Sequence, residues 1–212
     1  MAKDTSARMI EATARMLQHR GYHGTALSDI LEASGAPRGS LYFHFPGGKD
    51  QLAIEATRAA VEETTAYLRD SLASAASPAE GVRAFVDATA ELMRRSDYTF
   101  GCPVAPMVLD APAGLHELDE LCRRTFERWI DMLRMSFVDS GLPTRRATSL
   151  ALLTVATIEG ALLIARAYRD CAPITDMAAE LEAIIAAAAP RGRTSSVHHK
   201  RTRAQKKIAR SR

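Results

Sequence analysis

Cysteine is scarce in this sequence and is not arranged for cross-linking. The three cysteines, Cys102, Cys122 and Cys171, lie far apart, with no CxxC pair and no histidine cluster to match them. Disulfide frameworks and structural zinc sites both need closely spaced ligands of these types. The sequence therefore predicts no disulfide framework and no metal site, and it favours a reducing cytoplasm as the protein's location.

A leader segment and long apolar runs are also missing from the pattern. The N-terminus opens with Lys3, Asp4 and polar residues rather than with a charged stretch followed by an apolar block. No segment approaches the uninterrupted run of about 20 apolar residues that a membrane-spanning helix requires. We expect a soluble cytoplasmic protein that does not contact a membrane.

The motifs by which many enzymes are recognised are absent as well. The chain has no nucleophile elbow, P-loop, dinucleotide fingerprint or HExxH sequence. Its carboxylates fall on helix surfaces, where solvated charge is the default explanation. The sequence thus predicts neither an enzyme nor a cofactor-binding protein.

Negative charge is lacking at one end of the chain. Residues 190–212 hold nine of the 28 lysines and arginines and none of the 25 acids, so residues 1–189 carry 19 bases against 25 acids. The overall charge of +3 therefore comes from a basic tail, which we expect to be disordered. Such a tail is by itself compatible with a second hypothesis, in which the protein binds nucleic acid nonspecifically and with an affinity that depends on salt.

Helical spacing of apolar residues runs through almost the whole chain, and no convincing alternating run of β-branched residues indicates a strand. The 212 residues suffice for one or two compact units with a real core. The pattern predicts an all-α protein with about nine helices. The first helix is expected to be capped by Thr5 and to run to about Arg20, and a short second helix that carries Leu27, Ile30 and Leu31 is expected between Thr25 before it and Gly35 after it. The other helices are expected from Pro37 to about His44, over about 48–73, after Pro78, over about 101–110, from Leu115 to about Gly141, over about 144–169 and over about 174–188.

The second and third helices have the spacing of a helix-turn-helix unit. Both are short, Gly35 lies in the tight turn between them, and the first helix precedes them to cover their apolar sides. In the third helix, Leu41 and Phe45 lie four residues apart and are expected to pack inward. The same geometry turns the other side chains of that helix toward solvent or a DNA groove: Arg38, Gly39, Ser40, Tyr42 and His44.

These residue types suit contact with DNA. Arg38 at the start of the helix has the geometry for bidentate contact with a guanine, and the small Gly39 and Ser40 allow close approach to base edges. Thr25, Tyr42 and Lys49 offer polar groups to phosphates. Packing explains some of the same residues equally well: Tyr42 and Phe43 suit a helical bundle, and His44 and Lys49 suit a solvated surface.

The motif in this segment resembles the N-terminal signature of TetR-family repressors. The resemblance covers about residues 8–55 and is carried by Thr25–Gly35 (TALSDILEASG), Arg38–Pro46 (RGSLYFHFP) and Lys49–Leu52 (KDQL). It implies phosphate contacts from Thr25, Tyr42 and Lys49 and base reading by Arg38, Gly39 and Ser40, with His44 at the end. Pro37 departs from the Ser or Thr usual there. The Pro46-Gly47-Gly48 sequence, together with Gly101-Cys102-Pro103-Val104-Ala105, resembles the LmrA and YxaF type.

The resemblance also implies a division of the chain. Residues 1–47 would form the helix-turn-helix domain, residues 48–189 a ligand-binding and dimerisation domain, and residues 190–212 the basic tail. Methionine and aromatic side chains beyond the fourth helix adapt to flat apolar ligands, although each is also explained as an ordinary core residue. The candidates for the pocket lining are Met93, Tyr98, Phe100, Met107, Phe126, Trp129, Met132 and Ile158.

The sequence thus predicts a repressor that binds a palindromic double-stranded operator as a homodimer through its last two helices, about 144–188. A small apolar or aromatic effector would release it from DNA. A thiol-responsive regulator that uses Cys102 is the alternative, since Cys102 lies beside Pro103 and near the expected pocket.

Overall fold

The computed structural model describes residues 2–189, with side chains from residue 5 onward, and these residues form nine α-helices and no strand. The prediction of an all-α fold is confirmed. The basic tail predicted for 190–212 lies outside the described residues. The helices are α1 (Ala2–Arg20), α2 (Leu27–Ser34), α3 (Arg38–His44), α4 (Gly48–Ser74), α5 (Pro78–Arg95), α6 (Ala105–Asp110), α7 (His116–Asp139), α8 (Thr144–Tyr168) and α9 (Ala172–Ala188).

Two predicted helix caps are wrong. Helix α1 begins at Ala2, so Thr5 lies inside the helix instead of capping it. Helix α2 begins at Leu27 and has Ala26 at its N-cap, because the hydroxyl of Thr25 donates a hydrogen bond to the carbonyl of Gly21 (2.7 Å) instead of capping the helix. The hydroxyl of Thr5 instead accepts a hydrogen bond from the guanidinium of Arg8 (3.5 Å).

Gly35 makes the tight turn between α2 and α3. Its φ of +63° is left-handed, a conformation that glycine adopts without steric cost, and its N–H donates to the carbonyls of Leu31 and Glu32. Pro37 follows in extended conformation as the N-cap of α3, so the helix begins at Arg38, one residue later than predicted. The turn between the two short helices is therefore fixed by backbone geometry.

The buried apolar side chains divide into two clusters. The smaller cluster joins α1, α2, α3 and the start of α4 and consists of Met9, Ile30, Ala36, Leu41, Phe45 and Leu52. The larger cluster fills the rest of the molecule, and Ile10 of α1 packs against both. Helix α4 also belongs to both, since Leu52 lies in the smaller cluster and Leu68 in the larger.

The body of the protein is a bundle of α4 to α9. Helix α5 packs on α9, α7 packs on α8, and α4 lies against α1, α5 and α7. Inside the bundle, the indole N–H of Trp129 donates to the hydroxyl of Thr65 (2.8 Å), which fixes α7 against α4. The bundle therefore holds one end of α4 while the small cluster holds the other.

The expectation that no segment reaches the apolar length of a membrane span is wrong for helix α8. By length and composition alone, Thr144–Tyr168 is long and apolar enough to cross a membrane, although the core helix of a soluble protein passes the same test. Only 39% of its most apolar stretch is buried. The helix is so apolar because, besides the face packed on α7 and α9, it carries a second apolar face on the surface.

Candidate nucleic-acid interface and ligand cavity

Helix α3 has one buried and one exposed face. Leu41 and Phe45 are only 2% and 1% exposed and anchor the helix in the smaller cluster. On the outer side, Tyr42 is 64% exposed and Phe43 is 77% exposed. Arg38 and Gly39 are exposed as well, while Ser40 and His44 are half-buried. The structure therefore brings five of the seven predicted DNA-binding residues together on α3.

Phe43 is not among the predicted DNA-binding residues, and packing in a bundle was the alternative considered for it and for Tyr42. The ring of Phe43 makes a T-shaped contact with the ring of His44, at a centroid distance of 5.0 Å, but it lies outside the core. A bare phenyl ring on a helix surface suits apolar contact with a thymine methyl group. The signal available in the sequence was the spacing, since Phe43 falls between the two inward positions Leu41 and Phe45.

Gly39 lies on the same face in open space. A Cβ atom added to it would meet no other atom within 4 Å, so the fold itself gives no steric reason for glycine here. Glycine inside a helix costs about 0.5–1 kcal/mol relative to alanine. Gly39 therefore has no side chain at a position where the fold would accommodate one.

Thr25 is not presented to an external phosphate in this conformation. Its side chain is fully buried, and its hydroxyl donates to the carbonyl of Gly21, as described above. The residue orders the connection between α1 and α2. The predicted phosphate contact by the hydroxyl of Thr25 therefore does not match this geometry, because that oxygen has no solvent-facing side.

Lys49 and Tyr42 lie on either side of the start of α4. The ammonium of Lys49 lies over the ring of Tyr22, 4.1 Å from its centroid, and partial burial lowers the pKa of the lysine. Beneath it, the hydroxyl of Tyr22 donates to the carboxylate of Asp50. Gly48 has a φ of +64° and lies against the ring of Tyr42, so that a Cβ atom there would be 3.7 Å from that ring. Lys49 thus lies on the Tyr22 ring, one residue after the glycine that lies against Tyr42 of α3.

Two polar contacts connect the bundle to the helix-turn-helix unit. The carboxylate of Asp110, at the end of α6, accepts a hydrogen bond from the backbone N–H of His23 (2.8 Å). The guanidinium of Arg166 donates to the carbonyls of Gln18 in α1 (3.1 Å) and Thr99 in the loop before α6 (2.5 Å). The loop before α6 is therefore connected to α1 through Arg166.

The bundle contains a cavity of about 600 Å³. Its walls come from α4, α5, α7, α8, the loop before α6 and Gln18 of α1, and most of the wall residues are apolar or aromatic. Of the eight predicted lining residues, Phe100, Trp129 and Ile158 are in the wall. The sequence interpretation missed Tyr67 on α4, Phe85 on α5 and Glu159 on α8.

The other five predicted lining residues belong elsewhere. Met93 is fully buried and reaches only a neighbouring cavity of about 230 Å³. Met107 is likewise a core residue, and Phe126 packs edge-on against the ring of Trp129, at 5.9 Å between centroids. Among the described residues, the walls of these two cavities do not include Met107, Phe126, Tyr98 or Met132. The methionine and aromatic stripes mark the core, while the cavity forms where several helices fail to meet.

Cys102 lies in the cavity wall with its thiol largely buried. Its sulfur accepts hydrogen bonds from the backbone N–H groups of Val104 and Ala105, both at 3.4 Å. Burial raises the pKa of the Cys102 thiol well above its ordinary value, and the neighbouring Glu159 carboxyl raises it further. Since the thiolate is the reactive form, this environment disfavours the thiol-sensor alternative.

The helix-turn-helix unit is anchored from behind and exposed on its outer side, and it is joined to a helical body that contains a cavity. This combination defines a transcriptional regulator that carries both parts in one chain. The family comparisons agree. Residues 9–56 match the family described as bacterial regulatory proteins, tetR family, and residues 78–180 match the C-terminal domain of LmrA/YxaF-like transcriptional regulators. The chain belongs to the TetR family of regulators.

Individual relatives match over nearly their whole length. An uncharacterized HTH-type transcriptional regulator of Mycobacterium tuberculosis (strain ATCC 25618 / H37Rv) is 35% identical over 86% of this chain and 95% of its own. The HTH-type transcriptional regulator LmrA of Bacillus subtilis (strain 168) is 32% identical over 81% and 91%. The crystal structure of a TetR transcriptional regulator from Chloroflexus aurantiacus J-10-FL has 29% identity, a TM-score of 0.76 and coverage of 87% and 96%. The predicted family is confirmed, and the protein is a transcriptional regulator, not an enzyme.

Proposed function

We propose that this protein is a cytoplasmic repressor that binds a palindromic operator as a homodimer and leaves it when a small ligand fills the 600 Å³ cavity. The observation that carries the DNA-binding part is the outer face of α3. That face is rigidly anchored from behind, and it carries a glycine that the fold does not require. A helix with this surface fits the major groove of B-DNA, which admits one α-helix.

The residues on this surface divide by role. Arg38, Gly39 and Phe43 face the bases, with Arg38 donating to a guanine and Phe43 contacting a thymine methyl group. Tyr42 and Lys49 hold the phosphate backbone and set the register of the helix. Lys49 reaches the phosphates after leaving the Tyr22 ring, a contact worth about 0.5–1 kcal/mol at an exposed site.

The second apolar face of α8 supports the homodimer. Leu152, Ala156, Gly160 and Leu163 recur along it at helical spacing, all at least partly exposed, and Ile184 of α9 adds to the apolar surface. A Cβ atom at Gly160 would meet nothing within 4 Å, so packing within the subunit does not explain why a glycine stands in the middle of this helix. Close approach of a second α8 across a two-fold axis supplies that reason.

Helix α4 is the proposed route from the cavity to DNA. Tyr67 of α4 lines the cavity, and Leu52 of the same helix lies in the core of the helix-turn-helix unit. A dimer reads two half-sites only when its recognition helices lie about 34–36 Å, or a multiple of one DNA turn, apart. A ligand that favours another position of α4 by about 1–3 kcal/mol would lower operator affinity roughly 5- to 150-fold.

Replacing Gly39 by alanine is the direct test of the DNA-binding proposal. An operator duplex is first selected from random DNA with the unaltered full chain, without ligand and at moderate salt. The Gly39→Ala variant is expected to be as stable as the parent or up to about 1 kcal/mol more stable, because alanine favours the helix. It is also expected to bind the selected duplex at least tenfold more weakly, because the new methyl group meets DNA.

Thermal unfolding and fluorescence anisotropy measure the two effects separately. Alanine at another exposed position away from α3, Asp139→Ala, serves as the control and is expected to leave operator affinity unchanged. Unchanged affinity of the Gly39→Ala variant would contradict the proposed approach of α3 to the bases. Failure to select any duplex at all would contradict the whole proposal.

A further inference from the structure

The charges around the large cavity are unevenly distributed. Its lining residues include four carboxylates and one guanidinium: Glu63, Asp70, Glu91, Glu159 and Arg95. Glu91 is neutralised, since it accepts a hydrogen bond from the Nε of Arg95 at 2.7 Å and also pairs with Arg94. Within the described chain, the remaining three carboxylates form no ion pair. Among the described residues, the cavity wall therefore has an excess of carboxyl groups without a basic partner.

Two of the three unpaired carboxylates lie at the mouth. Glu63 and Asp70 are on one side of α4 and are exposed, as is Tyr67 between them. On the opposite side, Leu92 of α5 is also exposed. The cavity thus opens between α4 and α5, and a diffusing cation would meet negative charge there first.

The third carboxylate, Glu159, lies inside. It borders both the large cavity and the smaller neighbouring one, and its polar neighbour is the thiol of Cys102. Burial raises the pKa of Glu159, and the thiol offsets this only in part. A buried ionised carboxylate is costly unless a positive charge or several hydrogen-bond donors compensate it. Among the described residues no lysine or arginine pairs with this carboxylate, so a bound cation would compensate its charge.

We propose that the large cavity binds a lipophilic cation, an aromatic molecule with one positive charge, and that Glu159 is its counter-charge. The inference rests on the proposed ligand-binding role of the cavity and specifies the chemical class of the ligand. A volume of about 600 Å³ lies within the roughly 300–1,000 Å³ range of pockets for drug-sized molecules. Tyr67, Phe85 and Trp129 give the wall aromatic faces, which attract cations as well as apolar rings.

The single tryptophan of the chain provides the assay, because Trp129 lies in the cavity wall. Quenching of its fluorescence is titrated with three flat ring systems of the same size: N-methylacridinium, which is permanently cationic, 9-anthracenemethanol, which is neutral, and 9-anthracenecarboxylate, which is anionic. The full-length protein is expected to bind the cation at least tenfold more tightly than the anion. The neutral probe should lie between them.

The Glu159→Gln variant removes the charge and keeps the shape of the side chain. It is expected to weaken binding of N-methylacridinium about tenfold and to leave 9-anthracenemethanol unchanged. Asp139→Asn, which removes an exposed carboxylate at the end of α7 outside the cavity wall, is the matched control and should change neither. Circular dichroism confirms that both variants are folded.

Three results would overturn the assignment of a cationic ligand: no binding of the cation, equal binding of cation and anion, or a preference for the cation that survives Glu159→Gln. Because Trp129 reports binding without DNA, this outcome is separate from the fate of the repressor proposal. If N-methylacridinium binds selectively but leaves the operator complex intact at saturation, the cationic site stands and ligand-induced release is wrong.

Discussion

Replacing Gly160 by glutamate is expected to separate the proposed dimer into folded monomers and to lower operator affinity at least about 100-fold, the lower end of the gain from bivalent binding. Glycine at this position leaves open space on the exposed face of α8. A Cβ atom there meets nothing within 4 Å in its own subunit, and glutamate is a better helix former than glycine. Across a two-fold axis, however, it would bring two carboxylates together in an apolar interface.

The Gly160→Glu experiment separates loss of dimer from loss of fold. Molar mass by light scattering reports the oligomeric state, thermal unfolding reports subunit stability, and anisotropy with the selected duplex reports affinity. Gly160→Ala is the matched control, since a methyl group keeps the surface apolar and small. A Gly160→Glu protein that remains dimeric at micromolar concentration would show that this face of α8 is not the interface.

Truncating Phe45 to alanine is expected to destabilise the helix-turn-helix unit by about 3–5 kcal/mol, the range for large aromatic residues in cores. Phe45 is 1% exposed and belongs to a cluster of only six buried residues. So small a core has few other contacts to compensate for the cavity left behind. Operator binding should be lost, while the bundle, with its separate and larger core, should keep its structure.

Hydrogen exchange measures the Phe45→Ala effect locally. Amides in α2 and α3 are expected to lose protection, while those in the buried part of α7 keep theirs, and Trp129 fluorescence should not shift. Phe43→Ala makes the same truncation two residues earlier on the exposed face of α3 and should leave stability within about 0.5 kcal/mol of the parent. Equal destabilisation by both variants would contradict the assigned orientation of α3.

The fold was accessible from the sequence because local signals agreed with it. Apolar spacing gave the helices, and glycines and prolines such as Gly35 and Pro37 marked their ends through backbone conformations that the structure contains. The inward positions Leu41 and Phe45 followed from helical geometry alone. The failures at Thr5 and Thr25 were failures of capping, since a threonine hydroxyl has several local partners and spacing does not choose among them.

The cavity was less accessible, for a different physical reason. A stripe of methionines and aromatics indicates the buried side of a helix, and Met93 and Met107 lie in the core as such residues usually do. A cavity depends on where several packed helices leave space, which no single helix encodes. Glu159 in particular belongs to a helix that is apolar on two faces, and only the packed structure places its carboxyl at a cavity.

The outer face of α3 is expected to enter the major groove of DNA. Dimethyl sulfate footprinting of the selected duplex tests it most directly, because the reagent methylates the N7 of guanine in the major groove and the N3 of adenine in the minor groove. We expect protection of guanine N7 in two half-sites centred about 10–10.5 base pairs, or a multiple of one turn, apart. Arg38→Ala should restore methylation at one guanine in each half-site. Protection confined to adenine N3, or no change in methylation under saturating protein, would contradict the claim.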